Sequence, residues 1–494
     1  MKILVLNGSP RPNGNTAAMV SAFVTGAVAS GHKVSVVNVC QKNIHGCLGC
    51  EYCHTKGNGS CIQNDDMQKV YPLLEQAEMI VLASPIYYHG FSGQLQCTLN
   101  RIYALDKPKK LRRAALFLSS EDRNVYEGAI YTYRNSFLGY LKLEDMGIYI
   151  AFGNQNKSEE LLNKLNAFGR SLMDIHEEGY SMGGHIAALS DSVTRKKVVY
   201  KNRYGMDITG ELYHSKDLDM TQKHPALIVG APYGGVKEQG PCVYGNELAQ
   251  RGFVVLTFDQ SFMGESGGFP RNVSSPDIFT ENFSAAVDFL GLQPFVDRKK
   301  IGTIGICGSG GFALSAAQMD TRIKAVATAS MYDMSAAVRG NMDKAALQAA
   351  KEQLSAQRWV DAENSYPEYL PGFPERPIEE VPADIPEPDA EWMRFYAVKR
   401  GHHPNARGGF TTTSVLTMMN YPLLAHIDEI SPRPILFVVG DRAHSKFFSE
   451  NAYAAALEPK ELYEVADAEH IDLYDRTDRI PFEKLAEFFK TNLK

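Results

Sequence analysis

Apolar residues follow two patterns along this chain. Short continuous runs, such as Lys2–Leu6, Met79–Ala83 and Ala226–Val229, predict strands that are buried on both faces of a parallel sheet. Between such runs, apolar side chains recur at helical spacing, as they do from Val20 to Val28. Buried strands that alternate with helices in this way predict an α/β architecture.

The same pattern divides the chain into two domains. Strands and helices alternate over residues 1–175, and a second set of elements, which opens with a β-hairpin, occupies residues 195–494. Residues 176–194 have little periodicity and several glycines, which predicts a linker. Residues 334–422 change to a helical and then a proline-rich pattern. An insertion of this kind between core strands predicts a lid over a pocket.

Two loops of the first domain carry candidate binding groups. The loop from Asn7 to Thr16 is rich in hydroxyls, amides and glycines, and a helix follows it at once. Backbone N–H groups at a helix N-terminus bind phosphate well, although such a loop is also an ordinary turn with a good N-cap. A second loop, from Ser84 to Gly90, follows the strand Met79–Ala83.

Together these loops resemble those of the flavodoxin-like NAD(P)H-dependent FMN reductase family. The resemblance covers about the first 175 residues and implies a doubly wound parallel sheet, FMN as cofactor and NAD(P)H as co-substrate. It implies four phosphate contacts and four flavin contacts, which are Ser9, Arg11, Asn15 and Thr16, and Pro85, Ile86, Tyr87 and Tyr88 respectively. For the two tyrosines the alternative is ordinary loop packing. Relatives often pair across the flavin edge, so we expect a homo-oligomer.

Four of the eight cysteines lie close together in the first domain, at Cys47, Cys50, Cys53 and Cys61. Four thiolates at this compact spacing can ligate one [4Fe-4S] cluster or a zinc ion. The arrangement is similar to that of iron-sulfur flavoproteins, which pass electrons between cluster and FMN. It is also similar to FMN-only relatives that keep a cysteine-rich loop ending in an acidic pair, so free thiols are a third interpretation. We expect Cys40 and Cys97 to be small buried apolar residues.

The second domain is organised around the segment KIGTIGICGSGGF, from Lys300 to Phe312. A buried strand that stops at a turn of small residues predicts a nucleophile elbow. The segment resembles the elbow of α/β-hydrolases, and more narrowly that of dienelactone-hydrolase-like enzymes, which use cysteine. Gly305 permits close packing of strand and helix two residues before Cys307, which favours Cys307 as nucleophile. One extra residue departs from the family pattern and leaves Ser309 as the alternative.

The resemblance implies the remaining members of a hydrolase site. The backbone amides of Tyr233 and Gly308 are the candidate oxyanion hole, and His470, which follows the final predicted strand, is the candidate base. The acid is less clear, because Ala443 stands where relatives commonly have aspartate. We favour Asp441 over Asp333, and a weak or absent acid is the third alternative. A cysteine nucleophile depends less on this acid than serine does, because its pKa is lower.

Charge and composition narrow the partners. A net charge of -6 spread over 494 residues gives no nucleic-acid footprint, and no apolar run reaches the roughly 18 residues of a membrane span. The chain opens on a strand, and its clustered cysteines suit a reducing compartment, so we expect a cytoplasmic protein. The expected partners are small-molecule substrates and an electron-transfer partner of the first domain.

These patterns predict a bifunctional fusion. The first domain is expected to be an NAD(P)H-dependent FMN oxidoreductase, and the second a cysteine hydrolase of a small ester, lactone or thioester. The alternative is an FMN or iron-sulfur electron carrier, or a flavin sensor, joined to a hydrolase-fold domain that binds without turnover.

Overall fold

The computed structural model describes residues 1–141, 143–172, 184–364, 367–374, 376–406 and 408–494. The chain forms two compact units, Met1–Gly179 and Tyr180–Lys494. Residues 176–183 of the predicted linker lie outside the described residues. In the described part of the chain, no helix is both long enough and apolar enough to cross a membrane.

The first unit contains a parallel sheet of five strands, β1 to β5, which are Lys2–Asn7, Lys33–Asn38, Met79–Pro85, Arg113–Ser120 and Glu144–Phe152. Its helices, α1 to α5, are Asn15–Ala29, Met67–Gln76, Gly93–Arg101, Glu127–Thr132 and Glu159–Ser171, with a π-helical segment at Tyr133–Tyr140. The strand order β2-β1-β3-β4-β5 confirms the flavodoxin-like fold. Ligands bind such sheets at the carboxyl ends of the strands where the order reverses, which here are the ends of β1 and β3.

The second unit contains an eight-stranded sheet, β6 to β13, whose strands are Val193–Lys201, Asp207–Ser215, His224–Gly230, Val254–Phe258, Val296–Ile306, Ala325–Ala329, Ile435–Gly440 and Lys460–Val465. The strand order is β13-β12-β11-β10-β8-β9-β7-β6, and β7 runs antiparallel to both of its neighbours. This is the α/β-hydrolase arrangement, so the predicted fold is confirmed. The strands at its centre are buried on both faces, as their continuous apolar runs require.

Ten helices, α6 to α15, are found in the described part of this unit: Gly240–Gln250, Pro276–Gly291, Gly308–Met319, Met334–Arg339, Lys344–Asn364, Asp389–Tyr396, Ser414–Asn420, Lys446–Ala455, Asp472–Asp475 and Phe482–Asn492. Helices α9 to α12 all lie between β11 and β12, in the stretch where the sequence predicts a lid. Strand β10 leads directly into α8, and Cys307 is the single residue between them. The elbow is therefore near the middle of the sheet, where neighbouring loops can reach it.

Candidate functional sites

The loop after β1 presents backbone donors at the start of a helix. Helix α1 begins at Asn15 behind Gly14, and no side chain caps its first turn among the described hydrogen bonds. The loop is closed internally, because the Arg11 amide donates to Ser9 Oγ at 3.3 Å and the Gly14 amide donates to the Arg11 carbonyl at 3.0 Å. The first amides of α1 are therefore available to an anion.

Ser9, Arg11, Asn15 and Thr16 all lie around this helix N-terminus. Ser9 and Thr16 are buried, whereas Arg11 is exposed. The Thr16 hydroxyl is hydrogen-bonded at 2.7 Å to Ser119 Oγ, near the end of β4, which fixes the helix start against the sheet. Gly8 makes the close approach possible, since a Cβ there would lie 2.6 Å from Ser92 Oγ.

The loop after β3 adjoins the loop after β1. The Gly8 amide donates to the Ala83 carbonyl at 2.7 Å, and the Ile86 amide donates to the Ser119 carbonyl at 2.9 Å. Tyr87 and Gly90 exchange two backbone hydrogen bonds of 3.0 Å, which closes a tight turn around Tyr88. Tyr88 has a positive φ of 48° and is fully exposed, so its ring is not held by ordinary loop packing.

The four clustered cysteines line a single pocket, together with Arg101 and Tyr103. Cys53 is buried and Cys61 is half-buried, while Cys47 and Cys50 are exposed. Within the described residues, no three of these thiols come within 4.8 Å of one another. Thiols that share one pocket are the donors that either an iron-sulfur cluster or a zinc ion requires.

Asp65, the first residue of the acidic pair Asp65 and Asp66, holds both ends of the cysteine loop. The Asp65 carboxylate accepts hydrogen bonds from the amides of His45 and Met67, each 3.0 Å long, and from the buried Arg101 guanidinium at 2.7 Å. Burial would raise the pKa of Asp65, but these hydrogen bonds outweigh it and lower that pKa. The acidic pair was visible in the sequence, whereas its partner Arg101, at the end of α3, was not recognised.

The second unit places Cys307 in a strained turn between β10 and α8. Its φ is 53°, a conformation that side-chain-bearing residues rarely adopt outside functional turns. Gly305 is required below it, because a Cβ there would lie 2.2 Å from the Ser309 carbonyl oxygen. Ser309 itself is in the first turn of α8, where its buried hydroxyl donates to the Ala231 carbonyl at 2.5 Å.

The Cys307 thiol lies against two backbone amides, those of Tyr233 and Gly308. Burial raises the pKa of Cys307, while hydrogen bonds from the Tyr474 phenol and from the two amides act in the opposite direction. The Tyr233 loop is held in place, because the Tyr233 hydroxyl donates to Ser274 Oγ at 2.8 Å and its ring stacks on Phe410 at 4.2 Å. The structure thus brings Tyr233 and Gly308 to the nucleophile candidate.

His470 is fully buried at the same place. Its Nδ1 is hydrogen-bonded to Ser445 Oγ at 2.6 Å, and its Nε2 is hydrogen-bonded to the Tyr474 hydroxyl at 2.8 Å. Tyr474 also acts to lower the pKa of the Cys307 thiol, so Ser445, His470 and Tyr474 form a hydrogen-bonded chain that ends beside the sulfur. Burial, together with nearby His444, lowers the pKa of His470 well below its ordinary value.

The expected pairing of Asp441 with His470 must be corrected. Asp441 is exposed directly after the end of β12, and no hydrogen bond joins it to His470 among the described residues. Asp333 is not at His470 either, because its carboxylate caps α9 through the amides of Ser335 and Ala336. The loop after β12 turns so that Ser445, at the start of α13, faces the imidazole in place of an aspartate.

A second histidine lies beside the first, and the sequence interpretation missed it. His444 Nδ1 is hydrogen-bonded to the buried Glu391 carboxylate at 2.6 Å, and His444 Nε2 is hydrogen-bonded to the Tyr332 hydroxyl at 2.7 Å. The rings of His444 and His470 are 4.9 Å apart. Glu391 comes from α11, in the segment between β11 and β12, and its carboxylate also accepts a hydrogen bond from the Ile471 amide at 3.0 Å.

The sequence interpretation also missed Tyr474. The available signal was its spacing from His470, since the two residues form a His-x3-Tyr pattern.

Comparisons with known proteins match the first part of the chain and the rest of the chain to different proteins. Residues 1–157 match the family described as NADPH-dependent FMN reductase. An iron-sulfur flavoprotein of Archaeoglobus fulgidus is 29% identical over 189 residues, which cover 37% of this chain and 83% of that protein.

The remaining part of the chain is similar to proteins of hydrolase fold. Protein PA2218 of Pseudomonas aeruginosa is 49% identical over 312 residues, which cover 62% of this chain and 82% of that protein. Its crystal structure aligns with a TM-score of 0.60 and 45% identity, and covers 65% of this chain and 100% of that one. A thiohydrolase, aneE of Aspergillus aculeatus, is 26% identical over 258 residues, which cover 51% of this chain and 77% of that protein.

Proposed function

The chain belongs to the family of protein PA2218 in its second unit and to the NADPH-dependent FMN reductases over residues 1–157, and from this premise we propose a bifunctional enzyme. The first unit would hold FMN and act as an NAD(P)H-dependent oxidoreductase toward a quinone, azo, nitro or iron-sulfur acceptor. The second unit hydrolyses a small ester, lactone or thioester through an acyl group on Cys307.

In the first unit, the residues around the α1 N-terminus suit the FMN phosphate. The amides of Asn15 and Thr16 and the side chains of Ser9 and Arg11 supply donors and a positive charge for it. Tyr87 and Tyr88, with Pro85 and Ile86, supply the surface for the flavin ring at the adjoining loop. FMN supplies the hydride and electron chemistry, and the protein positions it.

The cysteine pocket suits a [4Fe-4S] cluster, with Cys47, Cys50, Cys53 and Cys61 as its ligands. The support is the shared pocket and the similarity to an iron-sulfur flavoprotein. Zinc binding and free thiols are the competing outcomes. Iron and acid-labile sulfide analysis of anaerobically purified protein tests this, and we expect close to four of each per chain for a [4Fe-4S] cluster.

The observation that carries the hydrolase proposal is the position of Cys307 at a positive-φ turn, with its sulfur against two backbone amides. In the proposed reaction the sulfur attacks the acyl carbon, and the amides of Tyr233 and Gly308 stabilise the oxyanion. The thiol proton passes through the Tyr474 hydroxyl to His470 Nε2, while Ser445 holds the ring orientation. Water then releases the acid from the thioester.

Substitution at the elbow distinguishes the two candidate nucleophiles. With p-nitrophenyl acetate as probe, Cys307→Ala is expected to abolish acetylation of the protein, whereas Ser309→Ala retains it. The reverse result would assign the reaction to Ser309.

Yellow protein that oxidises NADPH without added flavin supports the reductase, while yellow protein without oxidation supports the carrier. A hydrolase unit that neither becomes acetylated nor turns over would favour the binding role.

The exposed tyrosines at the flavin edge also support the pairing of two copies of this chain. Sedimentation analysis of the purified protein tests this, and a monomer at all concentrations would contradict it. None of the eight cysteines is in a disulfide, which supports a reducing, cytoplasmic location. Fractionation of the producing cells is the direct test.

A further inference from the structure

The two histidines of the hydrolase site have different partners at Nδ1, and the carboxylate lies at the histidine that is not connected to Cys307. His470, the histidine connected to Cys307, has only the neutral hydroxyl of Ser445 at its Nδ1. His444 has the buried carboxylate of Glu391 in the corresponding position. A carboxylate in hydrogen-bond contact stabilises an imidazolium, whereas a hydroxyl does so only weakly. The carboxylate partner therefore belongs to His444 and not to the histidine connected to Cys307.

Each histidine is hydrogen-bonded through Nε2 to a tyrosine hydroxyl, and both tyrosines lie near the Cys307 thiol. The His470 chain ends at Tyr474, which acts to lower the pKa of the Cys307 thiol. His444 reaches Tyr332, which follows β11 and whose amide donates to the Cys307 carbonyl at 2.9 Å. The Tyr332 ring lies edge-on to the His470 ring at 5.2 Å, and its phenol interacts electrostatically with Cys307. Two separate hydrogen-bonded chains, one that ends at Tyr474 and one that ends at Tyr332, thus end near the same thiol.

The short distance between the rings limits their charges. At 4.9 Å in a buried site, two imidazolium ions would repel each other strongly. One positive charge can be accommodated, and Glu391 favours its location on His444. Transfer of the thiol proton to His470 is therefore easier when His444 gives up a proton. Two routes for protons are therefore needed, one that delivers a proton to His470 and one that removes a proton from His444.

We propose that Tyr332, His444 and Glu391 form a second proton relay, which serves the leaving group and the hydrolytic water, while Tyr474 and His470 serve the thiol. This relay rests on the proposed acyl-Cys307 reaction. Tyr332 faces the reacting atoms, and Glu391 is a positioning residue that acts through His444.

Protons and bonds balance over the two halves of the reaction. In acylation, the bond from sulfur to the acyl carbon forms and the bond to the leaving group breaks. The thiol proton moves to His470 through Tyr474, and the His444 imidazolium gives a proton to the leaving group through Tyr332. In deacylation, water adds to the thioester and its proton returns to His444, while the departing sulfur recovers the proton from His470. The net reaction consumes one ester and one water.

The basicity of the leaving group provides a test. The p-nitrophenolate ion leaves without protonation, whereas phenolate and alkoxide leaving groups need a proton donor. We expect His444→Gln, Glu391→Gln and Tyr332→Phe to slow acylation by p-nitrophenyl acetate the least, because this leaving group needs no proton. With phenyl acetate and ethyl acetate, the same variants should lose about 100-fold or more, as expected for general acid catalysis.

Deacylation supplies a second readout. Acetylated Cys307 should accumulate in the three variants and be visible by mass spectrometry, because no group accepts the proton of water. Arg394→Met is the matched control, since Arg394 lies on the same helix as Glu391 but pairs at the surface with Glu387. This control should keep the parent dependence on leaving group.

The outcomes separate this relay from the proposed function. If the unsubstituted protein never becomes acetylated at Cys307, the hydrolase proposal fails and the relay fails with it. If it does become acetylated, but the three variants slow all esters by the same factor, the residues act only on structure and the relay is overturned. Variants that leave every rate unchanged would overturn it as well.

Discussion

The two candidate sites of this chain are built in opposite ways. The site of the first unit lies in loops at the edge of a parallel sheet, and its donors are mainly backbone amides beside exposed side chains such as Arg11 and Tyr88. The site of the second unit is enclosed. Cys307, His470 and Tyr474 are buried and already hydrogen-bonded to one another or to their neighbours.

This difference follows from what each site has to do. A loop that receives a large phosphorylated cofactor has to leave its donors accessible until the cofactor binds, and the cofactor then carries the chemistry. A cysteine nucleophile has no such cofactor, so the surrounding side chains must hold and move its protons in a water-poor space. Substitutions should therefore affect binding in the first unit and turnover in the second.

The largest expected effect tests the independence of the two sites. Cys307→Ala should lower p-nitrophenyl acetate hydrolysis by at least about 10³-fold, because the covalent step is lost. FMN content and NADPH oxidation should remain at the parent level. A parallel loss of flavin would show that the two sites are coupled, and the contrast between them would not hold.

The next largest effect concerns the stability of the first unit. Asp65→Asn leaves the Arg101 guanidinium buried without its carboxylate, which should cost about 3–5 kcal/mol of unfolding free energy. Thermal unfolding monitored separately in the two units would measure it. Glu75→Gln, an exposed substitution on α2, is the matched control and should change little.

Asp65 also predicts how this stability depends on pH. Its pKa is lowered in the folded state, so its contribution is fully present above the ordinary aspartate pKa of about 4. That contribution disappears as the pH falls through the lowered folded pKa. The Asp65→Asn protein should lack this component, which a comparison of unfolding curves between about pH 2 and pH 6 would reveal.

A smaller effect distinguishes the two groups considered for His470. Ser445→Ala removes the hydrogen bond to Nδ1 and should lower kcat/KM for ester hydrolysis by about 10–100-fold. Asp441→Asn alters an exposed carboxylate and should change it by less than about 2-fold. The opposite order of effects would restore Asp441 as the acid of the site.

The smallest expected effect concerns cofactor affinity. Arg11→Ala should weaken FMN binding by about 10-fold, as the loss of one charge-assisted contact with phosphate implies. Titration of the flavin-free protein with FMN, followed by fluorescence quenching, would measure it. Lys33→Ala is the control, because Lys33 is the first residue of β2 and lies at the amino ends of the strands, away from the loop after β1. Equal losses in both variants would indicate a general effect of charge.

The sequence alone determined the parts of this protein that depend on local order. Continuous apolar runs specify buried strands, and small residues at strand ends specify tight turns. The two units, the loop after β1, the turn at Cys307 and the candidate oxyanion loop at Tyr233 could therefore be predicted. These features depend on residues that are close together in the chain, so no long-range packing had to be known.

Only the tertiary structure decided which side chains meet at the sites. Glu391 and His444 are far apart in sequence, and Ser445 rather than Asp441 faces His470 because of how one loop turns. In the same way, Arg101 reaches Asp65 from a separate helix. Such contacts depend on the packing of whole elements against the sheet, and sequence spacing carries no information about that packing.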